Sequence, residues 1–168
     1  MRLQPTAAVS YWEKNTVGGA QTVYVAQVYV RFDVFPGGDV RLVHAEGTGH
    51  DLAVKYDSAT GQLGCAYDDA FTGGFGGPAL SLSTWYKIDF KADMSTGTLT
   101  ADARVDGTAL PQAGGTDVSG TYSAYKLGPN SEASTMTLYF DELSVSNTAA
   151  DYPLFAGSRG LLLTGVGS

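Results

Sequence analysis

Thr22-Val23-Tyr24-Val25-Ala26-Gln27-Val28-Tyr29-Val30-Arg31-Phe32-Asp33-Val34 is the stretch on which the reading of this sequence turns. Tyr24, Ala26, Val28, Val30, Phe32 and Val34 share one parity, while the intervening set ends in Arg31 and Asp33. Successive side chains leave a pleated strand on opposite sides, so a period of two sustained this long predicts one strand with a face in a core. Downstream, residues 39–46, 50–56 and 62–67 form shorter apolar runs, separated by Gly47–Gly49 and by residues 57–61, in the rhythm of a meander. Cys65 falls in phase with Leu63 and Tyr67. Residues 85–93 alternate Tyr86, Ile88, Phe90 and Ala92 with Lys87, Asp89, Lys91 and Asp93, and residues 98–106 repeat the pattern with Leu99, Ala101, Ala103 and Val105. Asp106-Gly107 then predicts a type I′ hairpin turn, because both central positions need positive φ.

Two more strands are expected at residues 121–127 and 135–146. In the second, the apolar phase moves from Met136, Leu138 and Phe140 to Leu143 and Val145, a slip across Asp141-Glu142 that predicts a β-bulge. No window of ten residues carries a helical period, and the 22 glycines fall between the apolar runs. Nine or ten antiparallel strands are too many for one open twisted sheet here, so two sheets packed face to face are expected, with a closed barrel as the runner-up. The expected core is Tyr24, Val28, Val30, Phe32, Leu52, Val54, Leu63, Cys65, Ile88, Phe90, Leu99, Val105, Leu138 and Phe140.

At 168 residues the chain fits one domain: an N-terminal arm with a first short strand over 1–21, the sandwich over 22–147, and an extended arm over 148–168. The formal charge of −7 and ten scattered Lys/Arg argue against binding nucleic acid, which needs a basic stripe. A single cysteine excludes an intrachain disulfide. Residues 1–10 lack the apolar core of a signal peptide and residues 160–166 are too short to span a bilayer, so cytoplasmic folding without membrane insertion is expected.

Signals for chemistry are thin. His44 and His50 flank a glycine turn where they could approach across a hairpin; they are read as solvent-facing strand ends, too few for a zinc site. No Gly-x-Ser-x-Gly elbow is present. Retaining glycoside hydrolysis needs two carboxyl groups about 5–5.5 Å apart, and among Glu13, Glu46, Glu132 and Glu142 no same-face pair is found; Asp141-Glu142 are adjacent and point apart. No catalytic residue is therefore expected. The glycine-rich run over residues 68–78 reads as a surface loop, where Tyr67, Phe71 and Phe75 offer an aromatic platform for a glycan beside Asp68 and Asp69. The alternative is that these rings fold back on the sandwich end. Beyond Asn147, Tyr152, Leu154, Phe155, Leu161, Leu162 and Leu163 lie outside the alternating set, and a monomer would expose them as a patch. They are read as assembly contacts.

Four features carry a family resemblance: Tyr29-Val30-Arg31-Phe32, Ser83-Thr84-Trp85-Tyr86-Lys87-Ile88, residues 98–106 followed by Gly107, and Phe140-Asp141-Glu142-Leu143-Ser144-Val145. Their order resembles the laminin G-like jelly roll of the concanavalin A-like class, which implies an all-β, two-sheet antiparallel jelly-roll sandwich. The glucanases of that class carry a Glu-x-Asp-x-(x)-Glu run that this chain lacks. Several laminin G-like domains bind calcium through loop aspartates, so the resemblance implies Asp68 and Asp69 as calcium ligands; no other cofactor is expected. The continuation Ser146-Asn147-Thr148-Ala149-Ala150-Asp151-Tyr152-Pro153 resembles the segment after the jelly roll in structural proteins of actinobacterial tailed phages. That implies a non-enzymatic minor tail, fibre or capsid decoration protein of a virion, released by lysis. Its partners would be other virion proteins, further copies of itself and a cell-surface glycan. The alternative is a lectin-like carbohydrate-binding module of a bacterial protein, reading glycans through residues 68–78.

Overall fold

The computed structural model describes residues 2–3, 12–15, 21–47, 50–68, 74–95, 97–116, 121–129 and 135–153. Among them, strands run in the order Arg2–Leu3 (β1), Trp12–Asn15 (β2), Val23–Val34 (β3), Val40–Gly47 (β4), Asp51–Asp57 (β5), Gln62–Tyr67 (β6) and Phe75–Gly76 (β7). Tyr86–Asp93 (β8), Thr98–Val105 (β9), Thr108–Ala109 (β10), Ala113–Thr116 (β11), Tyr122–Leu127 (β12) and Thr137–Ser146 (β13) follow, and a 3-10 turn spans Ala149–Asp151. They form two antiparallel sheets. Sheet A has the order β1-β13-β3-β8-β9-β10, with β11 also on β9, and sheet B the order β2-β12-β4-β5-β6-β7. This is the expected two-sheet jelly roll.

The alternating stretch becomes β3, the middle of sheet A, hydrogen-bonded to β13 on one side and to β8 on the other. Its even-numbered side chains from Tyr24 to Phe32 enter the core with those of Ile88, Phe90, Leu99, Val105, Leu138 and Phe140. Sheet B supplies Leu52, Val54, Leu63 and Cys65 from the other side, so every residue of the expected core lies in it. Burial pushes the Cys65 thiol up to about 12, leaving almost no thiolate at neutral pH.

The turn and the bulge also form as the residue pattern demands. Asp106 and Gly107 adopt φ of 48° and 83°, and Val105 pairs with Thr108 across them. Asp141 pairs with Tyr29 but Ser144 with Gln27, so β13 holds one extra residue there, and Glu142 takes φ of 49°. Beyond this slip Leu143 and Val145 pack against the core.

Three strands escaped the sequence reading: one of the two N-terminal ones, β7 and β11. The most telling is β11. Gly114-Gly115 carries no hydrophobic pattern, yet a Cβ at Gly114 would sit 2.2 Å from the Leu99 carbonyl oxygen and one at Gly115 2.7 Å from the Tyr67 ring. Only glycine lets this strand lie so close to β9 and β6.

After β13 the described residues 147–153 turn back against sheet A. Tyr152 packs on Val23 and Val25, which face away from the main core, and the Lys91 ammonium lies 5.6 Å from its ring centre. Burial pushes its hydroxyl up to about 12, assisted by Asp102. Tyr152, expected among the assembly contacts, is thus half-buried over two valines on the outward side of β3 within its own chain. Leu154, Phe155, Leu161, Leu162 and Leu163 lie outside the described residues.

Candidate functional site

Sheet B has two faces, and the unexpected one is turned away from the core. Bulges interrupt β4 between Arg41 and Val43 and β12 between Tyr122 and Ala124. Such insertions bend a strand and re-aim its side chains. On β4, Val40, Leu42, Val43 and Ala45 enter the core, leaving Arg41, His44 and Glu46 on the outward side. The other strands add Asp51, Ala53, Lys55 and Asp57 from β5, Gly64 and Ala66 from β6, and Ala124 and Lys126 from β12.

Cross-strand register places these residues in rows. Lys126, His44, Ala53 and Ala66 make one row, and Arg41, Lys55, Gly64 and Phe75 the next. The small residues form a floor from which the long side chains rise. Outward sheet faces are ordinarily wet, yet Arg41, His44, Lys55 and Lys126 are all buried, His44 completely. The middle of this face is therefore sunk below the solvent-exposed surface, with charged groups around it. Lys126 Nζ is ion-paired with Glu46, and Arg41 Nη2 lies 3.9 Å from Asp51 Oδ2.

His44 is the anomaly within it. Neither ring nitrogen has a hydrogen-bond partner, although both are buried. Burial, and then the charges of Arg41 and Lys126, push its pKa down to about 3, so the ring is neutral at ordinary pH, with one N–H donor and one acceptor nitrogen. An unpaired buried polar group costs about 1–3 kcal/mol, and side chains of this kind concentrate where a ligand completes them. His44 was expected at a wet strand end near His50. In fact it pairs with Ala53 in mid-sheet, facing the opposite way from His50, because the β4 bulge turns it outward.

His50 belongs to a second cluster at the sandwich end. Its ring stacks on Tyr67 at 5.3 Å, with Tyr67 Oη 2.9 Å and Asp68 Oδ2 3.2 Å from Nδ1. Asp68 Oδ1 also accepts the Asp51 backbone N–H. Both Asp68 oxygens are thus engaged in closing the β5–β6 end, where Asp68 takes φ of 52°. Among the described residues no group of three His, Cys, Asp or Glu side chains is arranged for a metal. Asp69 and Phe71 lie outside the described residues.

The expected aromatic platform divides. Tyr67 turns inward against Gly115, whereas Phe75, 37% exposed, pairs with Gly64 and shares its outward side. Gly64, the register partner of Phe75, and Tyr67 are three positions apart on β6, an odd separation that puts the two rings on opposite faces. Phe75 instead stands at the end of the Arg41–Lys55–Gly64 row, which joins it to the outward face. Glu46 and Asp51 are direct register partners on that same side, a same-face carboxylate pair that inspection of single strands missed. Burial raises the Asp51 pKa above the usual carboxylate value, with Arg41 opposing the shift. On the opposite face of the molecule, the Arg31 guanidinium lies 5.3 Å from the ring centre of the exposed Trp85 and 4.5 Å from that of Tyr139. Trp85 there packs on Arg31 just before β8.

No protein-family model and no curated protein sequence matches the chain. Solved structures do. The Trypanosoma rangeli sialidase superposes with a TM-score of 0.57 at 19% identity over 87% of this chain, which spans only 30% of that enzyme. An alginate lyase from Corynebacterium sp. gives a TM-score of 0.54 at 11% identity, covering 82% of this chain and 61% of the lyase. The carbohydrate-binding module CBM66 from Bacillus subtilis gives 0.52 at 6% identity, covering 86% of this chain and 94% of the module. At these identities the likeness is one of fold: the chain is a two-sheet antiparallel jelly-roll sandwich of the kind found in these carbohydrate-handling proteins.

Proposed function

We propose that this chain is a non-catalytic carbohydrate-binding module whose ligand seats on the outward face of sheet B. The observation that carries this reading is His44, a completely buried imidazole aimed out of the sheet with neither nitrogen satisfied. Beside it in the sheet stand Arg41, Lys55 and Lys126 and, at the end of the neighbouring row, the exposed ring of Phe75. Glycan sites combine such polar groups with an aromatic surface for the apolar side of a sugar ring. The match to nearly the whole length of CBM66 supports the same reading, since that protein is a carbohydrate-binding module. Catalysis is not part of the proposal: Glu46 and Asp51 each face a cation that holds the carboxylate in place.

A glycan array with the intact chain, followed by calorimetry on the hits, tests the proposal. Binding is expected, weakened about tenfold or more by His44→Ala and by Phe75→Ala while the melting temperature shows that both variants stay folded. Absence of any glycan hit, or hits indifferent to both substitutions, refutes it. A second reading, a bacteriophage virion component, is favoured by the run from Ser146 to Pro153. It would carry the same face on a particle surface, and mass spectrometry of purified particles checks it.

A further inference from the structure

We infer that the outward face of sheet A carries a separate saccharide site, in which Trp85, Tyr139 and Tyr29 form a platform for a neutral glycan chain. The inference goes beyond the site proposed on sheet B and stands on different residues.

Register assembles the platform. On β3 the even-numbered side chains enter the core, so Tyr29 and Arg31 point outward. Tyr139, between the core residues Leu138 and Phe140 of β13, pairs with Arg31, and Asp141 pairs with Tyr29. On the other side Lys87 pairs with Tyr29, and Trp85, two residues before it, meets Arg31 through its ring. The three aromatic side chains thus occupy two adjacent rows on three neighbouring strands, a patch about 10 Å wide at ordinary strand spacing. Trp85 is 40% exposed and both tyrosines are half-buried.

Two of the rings are fixed before any ligand arrives. Asp33 holds Arg31 with both oxygens, 3.1 Å from Nε and 3.2 Å from Nη2. The guanidinium so placed lies against both Trp85 and Tyr139, which spaces and stiffens the pair. The turn before β8 is anchored to the same strand: Ser83 donates its N–H to the Phe32 carbonyl at 2.7 Å and its hydroxyl to Asp33 at 3.2 Å. A platform of rings already held in place loses little entropy on binding.

Charge decides the occupant. Arg31 is paired with Asp33, and Lys87 Nζ lies 3.2 Å from Asp89, so the cations of this patch already have their counter-charges. An ionic ligand finds no unmatched charge in them. A protein partner fits poorly as well, because interface centres are depleted of charged residues, whereas here Arg31, Lys87 and Asp141 alternate with the rings. A neutral sugar chain has the complementary pattern, with C–H faces that lie on rings and hydroxyls that bond to donors and acceptors alike.

Affinity electrophoresis of the intact chain through gels holding hydroxyethylcellulose, xylan or galactomannan tests this. At least one polymer is expected to retard the wild type. Trp85→Ala should raise the apparent Kd about tenfold or more and Tyr139→Ala should raise it too, with melting temperatures showing that both variants fold. Ser58→Ala, exposed on the β5–β6 turn of the other sheet, should leave it unchanged. Trp12 is the other tryptophan, so in Trp12→Phe the emission of Trp85 alone reports on the site, with the site itself unaltered. An oligosaccharide of the retarding polymer should change that emission. Retardation indifferent to Trp85→Ala, or binding without a change in Trp85 emission, overturns the inference; retardation removed by Phe75→Ala instead would transfer it to sheet B. No retardation in any of the gels also overturns it, and leaves the sheet B site to be judged by its own glycan array.

Discussion

Replacing His44 by leucine separates the electrical and structural roles of the outward face of sheet B. The folded chain holds this imidazole at a pKa of about 3, against 6.5 for the free side chain. As pH falls below 6.5 the unfolded chain takes up a proton that the folded chain refuses, so stability is lost on acidification through that window. For a single site, the linkage relation gives a loss of about 2 kcal/mol between pH 7 and pH 5. The figure barely depends on the folded value so long as that value stays well under 5. His50 and Asp51 are present in both proteins and cancel in the difference; Asp51, whose pKa is raised on folding, contributes with the opposite sign. Urea unfolding at pH 7, 6 and 5 and constant ionic strength measures the effect. The wild type should lose about 2 kcal/mol more than His44→Leu, with unchanged slopes. At pH 7 the variant should be at least as stable as the wild type, because it removes an unpaired buried polar group at similar volume. Parallel loss of stability in the two proteins would show that His44 is not held neutral in the folded state, and the electrostatic account of that face would fall with it.

Phe90→Ala, in the centre of sheet A, should lower unfolding free energy by about 3–5 kcal/mol, read by the same urea titration; a loss under about 1 kcal/mol would contradict its core position. Gly114→Ala should cost about 2 kcal/mol or more, since its methyl would meet the Leu99 carbonyl, and amide exchange in β11 should accelerate. Tyr152→Ala should cost on the order of 1 kcal/mol without changing the sedimentation coefficient, because its contacts are with Val23 and Val25 of the same chain; a change in association state with unaltered stability would restore an assembly role for this residue.

The fold was legible because it is written in local periodicity. Alternation along β3, β8 and β9, the Asp106-Gly107 turn and the phase slip at Asp141-Glu142 each lie within a few consecutive residues. β11 was not legible, since its place depends on what glycine permits β9 and Tyr67 to approach. The outward face of sheet B was hidden for a related reason. Arg41, His44, Lys126 and Phe75 come from three different strands, one of them a distant edge, and only register aligns them. A sequence signal did exist in Arg41 and His44, polar residues within the apolar run of β4, whose spacing of three makes sense on one face only if a bulge intervenes. Asp68 and Tyr67 illustrate the reverse case: residue types suited to a ligand, consumed by closing the end of a hairpin.

The far side of β9 is bordered by two short pieces in tandem, β10 opposite Arg104 and Val105 and β11 opposite Thr98 to Ala101. An eight-residue strand that would otherwise offer its unpaired amides and carbonyls to a second molecule is thereby closed along most of its length. Neither piece is long enough to template the growth of a foreign strand, and Pro111 between them cannot donate a ladder hydrogen bond. This border gives the protein resistance to sheet extension along that edge at high local concentration.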